Sequence, residues 1–207
     1  MNVNNRFDNS PENFRIPYTD SEISSLMSDR IISWFPNIPR EYVTICIGTD
    51  RSTGDALGPL AGTFFEETKP KHMTIYGTLH EPVHAVNLGE AIDTIKTNHR
   101  NPFIIAIDAC LGRNASIGHI ITERGPLRPG SALNKALPPI GDINVTGVVN
   151  ISGFMEHSIL QSTRLSMVMD MARQISSILN SIDQRLSYHF SPEVIISEKQ
   201  QVKKWTV

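Results

Sequence analysis

Apolar positions along the chain follow two rhythms that alternate from one segment to the next. Tyr42–Gly48 (YVTICIG), Met73–Gly77 and Phe103–Asp108 (FIIAID) are short, nearly unbroken apolar runs, as expected of strands covered on both faces. Around them apolar residues return at three- and four-residue steps: Ile23, Leu26, Met27, Ile31, Trp34 and Phe35, then Leu57, Leu60, Ala61, Phe64 and Phe65, then the segment Leu88 to Thr97. That spacing predicts helices lying on a sheet. Asp20 or Ser21 is the expected N-cap of the first helix, and Pro36 and Pro39 end it.

Past Asp108 the pattern continues with a short strand over Gly118–Glu123 (GHIITE), expected at an edge, and another over Ile143–Asn150 (INVTGVVN). Between them lies a turn-rich stretch holding Gly125, Pro126, Pro129 and Gly130. One long helix is predicted from Met155 to Ile182, with Leu160, Met167, Val168, Met171, Ile175 and Ile178 on its apolar stripe. Glu193–Ser197 (EVIIS) reads as an added strand. Alternating strands and helices predict an α/β fold, a three-layer α/β/α sandwich around a mixed, mainly parallel sheet. Residues 1–18, polar and rich in Asn and Pro, read as a flexible arm, 19–186 as a single domain, and 187–207 as a polar tail.

Composition narrows the setting. With 207 residues and 40% hydrophobic content the chain suits one domain. A formal net charge of −2 exerts no broad pull on nucleic acid or anionic lipid, and neither is expected as a partner. No apolar run approaches the roughly 20 residues that span a bilayer, and residues 1–20 lack the apolar centre of a secretory signal. Cys46 and Cys110 stand inside strand-like segments without disulfide spacing, so a reducing cytoplasmic setting is expected. The oligomeric state is left open.

In open α/β sheets ligands gather beyond the carboxyl ends of strands. Gly48–Pro59 (GTDRSTGDALGP) follows the first core strand and puts Asp55 at the start of a helix. Ile107-Asp108-Ala109 ends the clearest strand on a carboxylate. Each aspartate has a structural alternative, Asp55 as an N-cap and Asp108 as the cap of a turn. Two carboxylates over one cleft can instead divide roles, one protonated as an acid and one ionised as a base for water. Asp55 and Asp108 are therefore the candidate catalytic pair. Thr49, Asp50, Gly54, His80, His84 and Ser131 are candidate substrate contacts, and Arg51, Arg128, Lys135 and Arg164 are candidate anchors or charge partners.

Three other patterns carry less. His80-Glu81-Pro82-Val83-His84 has the letters of a zinc-protease helix, but Pro82 keeps the two histidines off one helical face. Cys110 reads as a small buried thiol in preference to a nucleophile. The Gly48–Gly58 loop lacks the Lys-Ser/Thr ending of a phosphate-binding loop.

The blocks CIGTDRSTGDALGPLAG, YGTLHEPVHAVNL, IIAIDACLG, GPLRPGSALNKALPPIGD, VTGVVNISGF and LQSTRLSMVM together resemble the YyaC sporulation protein family, over about Tyr42 to Ala172. More remotely the chain resembles the germination protease of endospore formers and the hydrogenase maturation endopeptidases, which implies a phosphorylase/hydrolase-like α/β/α fold. Asp55-Ala56-Leu57-Gly58-Pro59 and Ile107-Asp108-Ala109 match the germination protease's two aspartate blocks, and Pro129-Gly130-Ser131-Ala132 resembles its Pro-Gly-Ser-Gly stretch. The maturation endopeptidases carry Glu and Asp at the positions of Asp55 and Asp108 and bind nickel with a later histidine. No histidine stands near Pro129-Gly130-Ser131, so the resemblance favours a metal-free arrangement while leaving room for a divalent metal at the pair. It implies a peptidase-like hydrolase active on a peptide or protein in a sporulating cell. The alternative is a non-catalytic spore protein that binds a partner in the same cleft.

Overall fold

The structure is a computed structural model that describes residues 12–129 and 137–190. Its strands are β1 (Asn13–Pro17), β2 (Tyr42–Cys46), β3 (Met73–Tyr76), β4 (Phe103–Gly112), β5 (His119–Arg124) and β6 (Ile143–Ile151). Its helices are α1 (Ile23–Ile32), α2 (Leu57–Glu67), α3 (Leu88–Asn98), α4 (Glu156–Gln161) and α5 (Leu165–Phe190), with a 3-10 turn at Asn114–Ser116. The strands form one sheet in the order β1-β5-β6-β4-β2-β3. β6, β4, β2 and β3 run parallel, and β5 lies antiparallel between β6 and β1.

Alternation along the strands divides the core between the two faces of the sheet. Tyr42 and Cys46 of β2, with Phe103, Ile105 and Ile107 of β4, pack under α1, α2 and α5. Val43, Ile45 and Ala106 face the other way, against Leu88, Ile92 and Ile95 of α3 and against Leu127 and Ile140. This is the three-layer α/β/α sandwich that the alternating rhythms predict. No helix among the described residues is long and apolar enough to cross a membrane.

Four local expectations are corrected. The expected arm over 1–18 contains β1, which pairs in register with β5 from Asn13↔Glu123 to Pro17↔His119. Phe14 and Ile16 are buried by that pairing, and Pro17 is tolerated because the strand lies at the sheet's edge. β5 is consequently an inner strand, not an edge. The third strand runs past Asp108 to Gly112, held by β6 on one side only. The single long helix is two, with α5 reaching Phe190. At the break Gly54 donates to the Leu160 carbonyl (2.8 Å), Asn150 Nδ2 donates to that of Ile159 (3.2 Å), and the Thr163 hydroxyl also donates to Ile159 (2.9 Å). Carbonyls that would continue the helix are thus taken by tertiary and side-chain donors. The expected strand at Glu193–Ser197 and the tail beyond Phe190 lie outside the described residues, as do Ser131 and Lys135.

Candidate active site

β4 outruns its neighbour β2, and the site forms where it does. The last β2 partner of β4 is Cys46, opposite Ile107, whereas Asp108 is still paired on its other side with Thr146 of β6. From β2 the chain moves outward to β3, and from β4 it moves the opposite way to β5 and β6, so the sheet's switch point lies between β2 and β4. Just beyond Cys110 the β4–β6 register shifts by a bulge, a device that re-aims side chains at such rims.

Asp55 reaches the same place from the loop after β2. At Gly48 the backbone takes φ +146°, a conformation L side chains rarely adopt, and a Cβ there would collide with the Asp55 carbonyl oxygen. The Gly48 amide donates to Val83 (2.8 Å) and the Thr49 amide to the carbonyl of Asp55 (3.2 Å), which folds the loop back over the strand end. Helix α2 starts without any side-chain cap, so the Asp55 carboxylate is not used as an N-cap. Nor does Asp108 end a turn. Its carboxylate accepts the next amide, Ala109 N–H, at 2.8 Å within the running strand.

Asp55, Asp108, His84, Cys110, Arg128 and Glu156 line one cavity of about 290 Å³. Ile47, Leu127, Leu137 and Leu160 supply apolar wall. The volume lies near the lower end for ligand pockets and suits a short stretch of chain.

The two carboxyl groups differ in their surroundings. Burial, and then the charge of Asp55, push Asp108 well above the usual carboxylate range, and the Ala109 amide only partly offsets them. Asp55 is also raised by burial, but the Thr49 amide draws it back, as do His157 and His84 whenever those rings carry a proton. Asp108 is therefore the group that keeps a proton longer, and Asp55 the one that ionises first. Among the described residues neither Arg51 nor Arg128 forms an ion pair with either of them.

The other candidates separate. Thr49 and Asp50 lie in the loop but not on the cavity wall, and Gly54 serves as a buried contact to α4. His80 lines a neighbouring hollow of about 630 Å³, and His84 lines both hollows. The His80–His84 stretch contains no helix, as Pro82 predicts. Cys110 does line the cavity, but burial first, and Asp108 and Glu123 after it, push its thiol up to about 11 against the pull of a hydrogen bond from Thr146. At neutral pH it is a thiol, not a thiolate. Thr146, Glu156, Leu160 and the nearby His157 were not anticipated. The signal available was position: SGFMEH follows β6 as GTDRSTGD follows β2, at the same end of the sheet.

A nickel centre of the maturation-endopeptidase kind needs a third ligand beside the two carboxylates. Among the described residues no three His, Cys, Asp or Glu side chains are grouped to hold a metal ion, so the described residues do not fit such a centre.

Comparison with known proteins gives three similarities. The family described as "Protein of unknown function (DUF1256)" matches residues 15–178. "Uncharacterized protein YyaC" of Bacillus subtilis (strain 168) is 50% identical over 144 residues, which cover 70% of each chain. A crystal structure of a [NiFe] hydrogenase maturation protease, HycI from Thermococcus kodakarensis KOD1, superposes with a TM-score of 0.51 at 17% identity, covering 77% of this chain and 99% of that one. The last similarity is one of fold.

Proposed function

Since the chain belongs to the DUF1256 family and has the fold of a hydrogenase maturation protease, we propose that it is a peptidase-like hydrolase in which Asp55 and Asp108 activate water against a peptide bond, working during bacterial sporulation. One observation carries this: two carboxyl groups from separate strand ends line one hollow, and their surroundings favour different protonation states.

Ionised Asp55 takes a proton from a water held between the pair, and the water oxygen bonds to the peptide carbonyl carbon. Asp108 gives its proton to the amide nitrogen, the C–N bond breaks, and a carboxylic acid and an amine leave. The proton on Asp55 then passes to Asp108 and restores the starting state. Each role is of the kind worth about 10²- to 10⁴-fold in rate. Sporulation and a cytoplasmic site of action follow from the resemblance to the sporulation family.

The experiment compares spores made with the native chain, Asp55→Asn and Asp108→Asn by N-terminal proteomics. Neo-N-termini present with the native chain and missing with both variants are expected; identical patterns in all three end the proposal. A partner-binding protein without catalysis would be favoured by carboxylates tied to Arg51 or Arg128, and the described residues hold no such pair.

A further inference from the structure

A tetrahedral oxyanion needs a donor, and four backbone amides around the aspartates are already engaged. Gly54 N–H is bonded to the Leu160 carbonyl (2.8 Å), Thr49 N–H to the carbonyl of Asp55 (3.2 Å), and Gly48 N–H to that of Val83 (2.8 Å). Ala109 N–H is bonded to the Asp108 carboxylate itself (2.8 Å). With these four amides taken, the side chains lining the cavity come forward as donors. Thr146 is engaged with Cys110, and Arg128 is an exposed residue at the cavity's mouth.

His84 is different, because its segment is clamped. Its backbone amide donates to Asn87 Oδ1 (2.7 Å), Asn87 Nδ2 donates to the Pro82 carbonyl (3.0 Å), and the amides of Asn87 and Leu88 both donate to the His84 carbonyl (3.1 and 2.9 Å). The ring is held as well. The Val86 amide donates to His84 Nδ1 at 3.3 Å. A backbone N–H can only donate, so Nδ1 must present its lone pair, and the ring's proton then sits on Nε2. Among the described residues His84 Nε2 has no hydrogen-bond partner, and His84 lines the same cavity as Asp55 and Asp108. His84 borders the larger hollow as well, so an extended peptide crossing it has room on both sides.

We infer that His84 is a third catalytic residue, whose Nε2–H donates a hydrogen bond to the carbonyl oxygen of the scissile peptide bond. The inference rests on the hydrolase reading above. As water adds to the carbonyl carbon, the carbonyl π electrons move onto oxygen, and His84 stabilises that charge without giving up its proton.

Two measurements test this. Long-range ¹H–¹⁵N correlation of the free protein is expected to show the His84 ring as the Nε2–H tautomer; an Nδ1–H ring overturns the inference whatever the activity. In the second, a positional peptide library is incubated with the native chain, and the best cleaved peptide is used for kinetics. His84→Ala is expected to lower kcat by about 10²- to 10³-fold, the usual effect of losing one oxyanion donor, with KM little changed. His84→Gln, whose amide N–H reaches the Nε2 position, is expected to recover part of that loss, and His84→Asn, with the shorter reach, is not. Thermal unfolding of each variant separates misfolding from lost chemistry, and a folded His84→Gln suffices if His84→Ala does not fold. Cleavage that Asp55→Asn and Asp108→Asn abolish but a folded His84→Ala leaves intact ends the role of His84 alone. A native chain that cleaves no peptide ends the hydrolase reading and this role with it.

Discussion

Gly54 donates its amide hydrogen to the carbonyl oxygen of Leu160 at 2.8 Å, which ties the loop bearing Asp55 to the helix that brings Glu156 and Leu160 to the cavity wall. The contact is close because Gly54 has no side chain. A Cβ there would lie 2.9 Å from Leu160 Cδ2 and 3.0 Å from both Leu160 O and Thr163 Oγ1. Gly54→Ala is therefore expected to push α4 away, lowering stability by about 1–3 kcal/mol as overpacking does. Urea unfolding reads the stability, and on the proposed hydrolase reading peptide cleavage should be lost even where the variant remains folded. An unchanged urea midpoint would show that α4 accommodates the methyl group.

Asp108 gives a pH dependence with a definite sign. Its folded-state pKa lies well above the unfolded value, so the native state holds a proton that the unfolded chain has released. Stability then falls as pH rises from the ordinary carboxylate range toward the folded pKa, and the full cost is present above it. Asp55, raised by the same burial, adds a smaller cost of the same sign. Asp108→Asn removes the charge and can keep the Ala109 hydrogen bond. It is expected to be more stable than the native chain at pH 7, with the difference shrinking toward pH 4. Urea midpoints at the two pH values check this. A variant less stable at pH 7 than the native chain contradicts it.

Asp183 is a structural carboxylate on the buried side of α5. Only 4% exposed, it accepts the amides of Lys71 (3.0 Å), His72 (2.8 Å) and Met73 (2.9 Å) and so fixes the start of β3. Removing it leaves three donors without their acceptor, where bonds to a charged group contribute about 1.5–3 kcal/mol each. Asp183→Ala is expected to cost at least about 3 kcal/mol in denaturant unfolding, on that scale. A loss below about 1 kcal/mol would mean that water replaces the carboxylate at no penalty.

Neither cysteine should behave as a reactive thiol in the native protein. Cys110 is pushed up to about 11 and Cys46, fully buried in the sheet, still higher. A disulfide reagent at pH 7.5 is expected to leave both unmodified over the time in which it consumes both in urea. Rapid native modification of Cys110 would restore it as a nucleophile candidate.

The parts of the site legible in the amino-acid order were those that periodicity reports directly. FIIAID is apolar until it meets Asp108, and the glycines around Asp55 mark a turn at a strand end. Both aspartates do meet at one cavity. What periodicity reports is burial, and it is silent about partners. Phe14 and Ile16 alternate over too few residues to stand out in a polar segment, so β1 was missed. The break before α5 carries no proline or glycine, since it arises from Gly54, Asn150 and Thr163 bonding to helix carbonyls. Glu156 and Leu160 reached the cavity unannounced for the same reason. Asp183 lies just past the predicted apolar stripe, and only the amides of the Lys71–Met73 backbone explain its burial.

The pairing of β1 with β5 sets an order of events during synthesis. Asn13 Nδ2 donates to Glu123 Oε1 (2.7 Å) across a separation of 110 residues. At elongation rates of roughly 5–20 residues per second, β1 waits about 5–20 s for its partner to be made. During that interval Phe14 and Ile16 lack the strand that pairs with theirs, so β1 is seated in the sheet well after it is made.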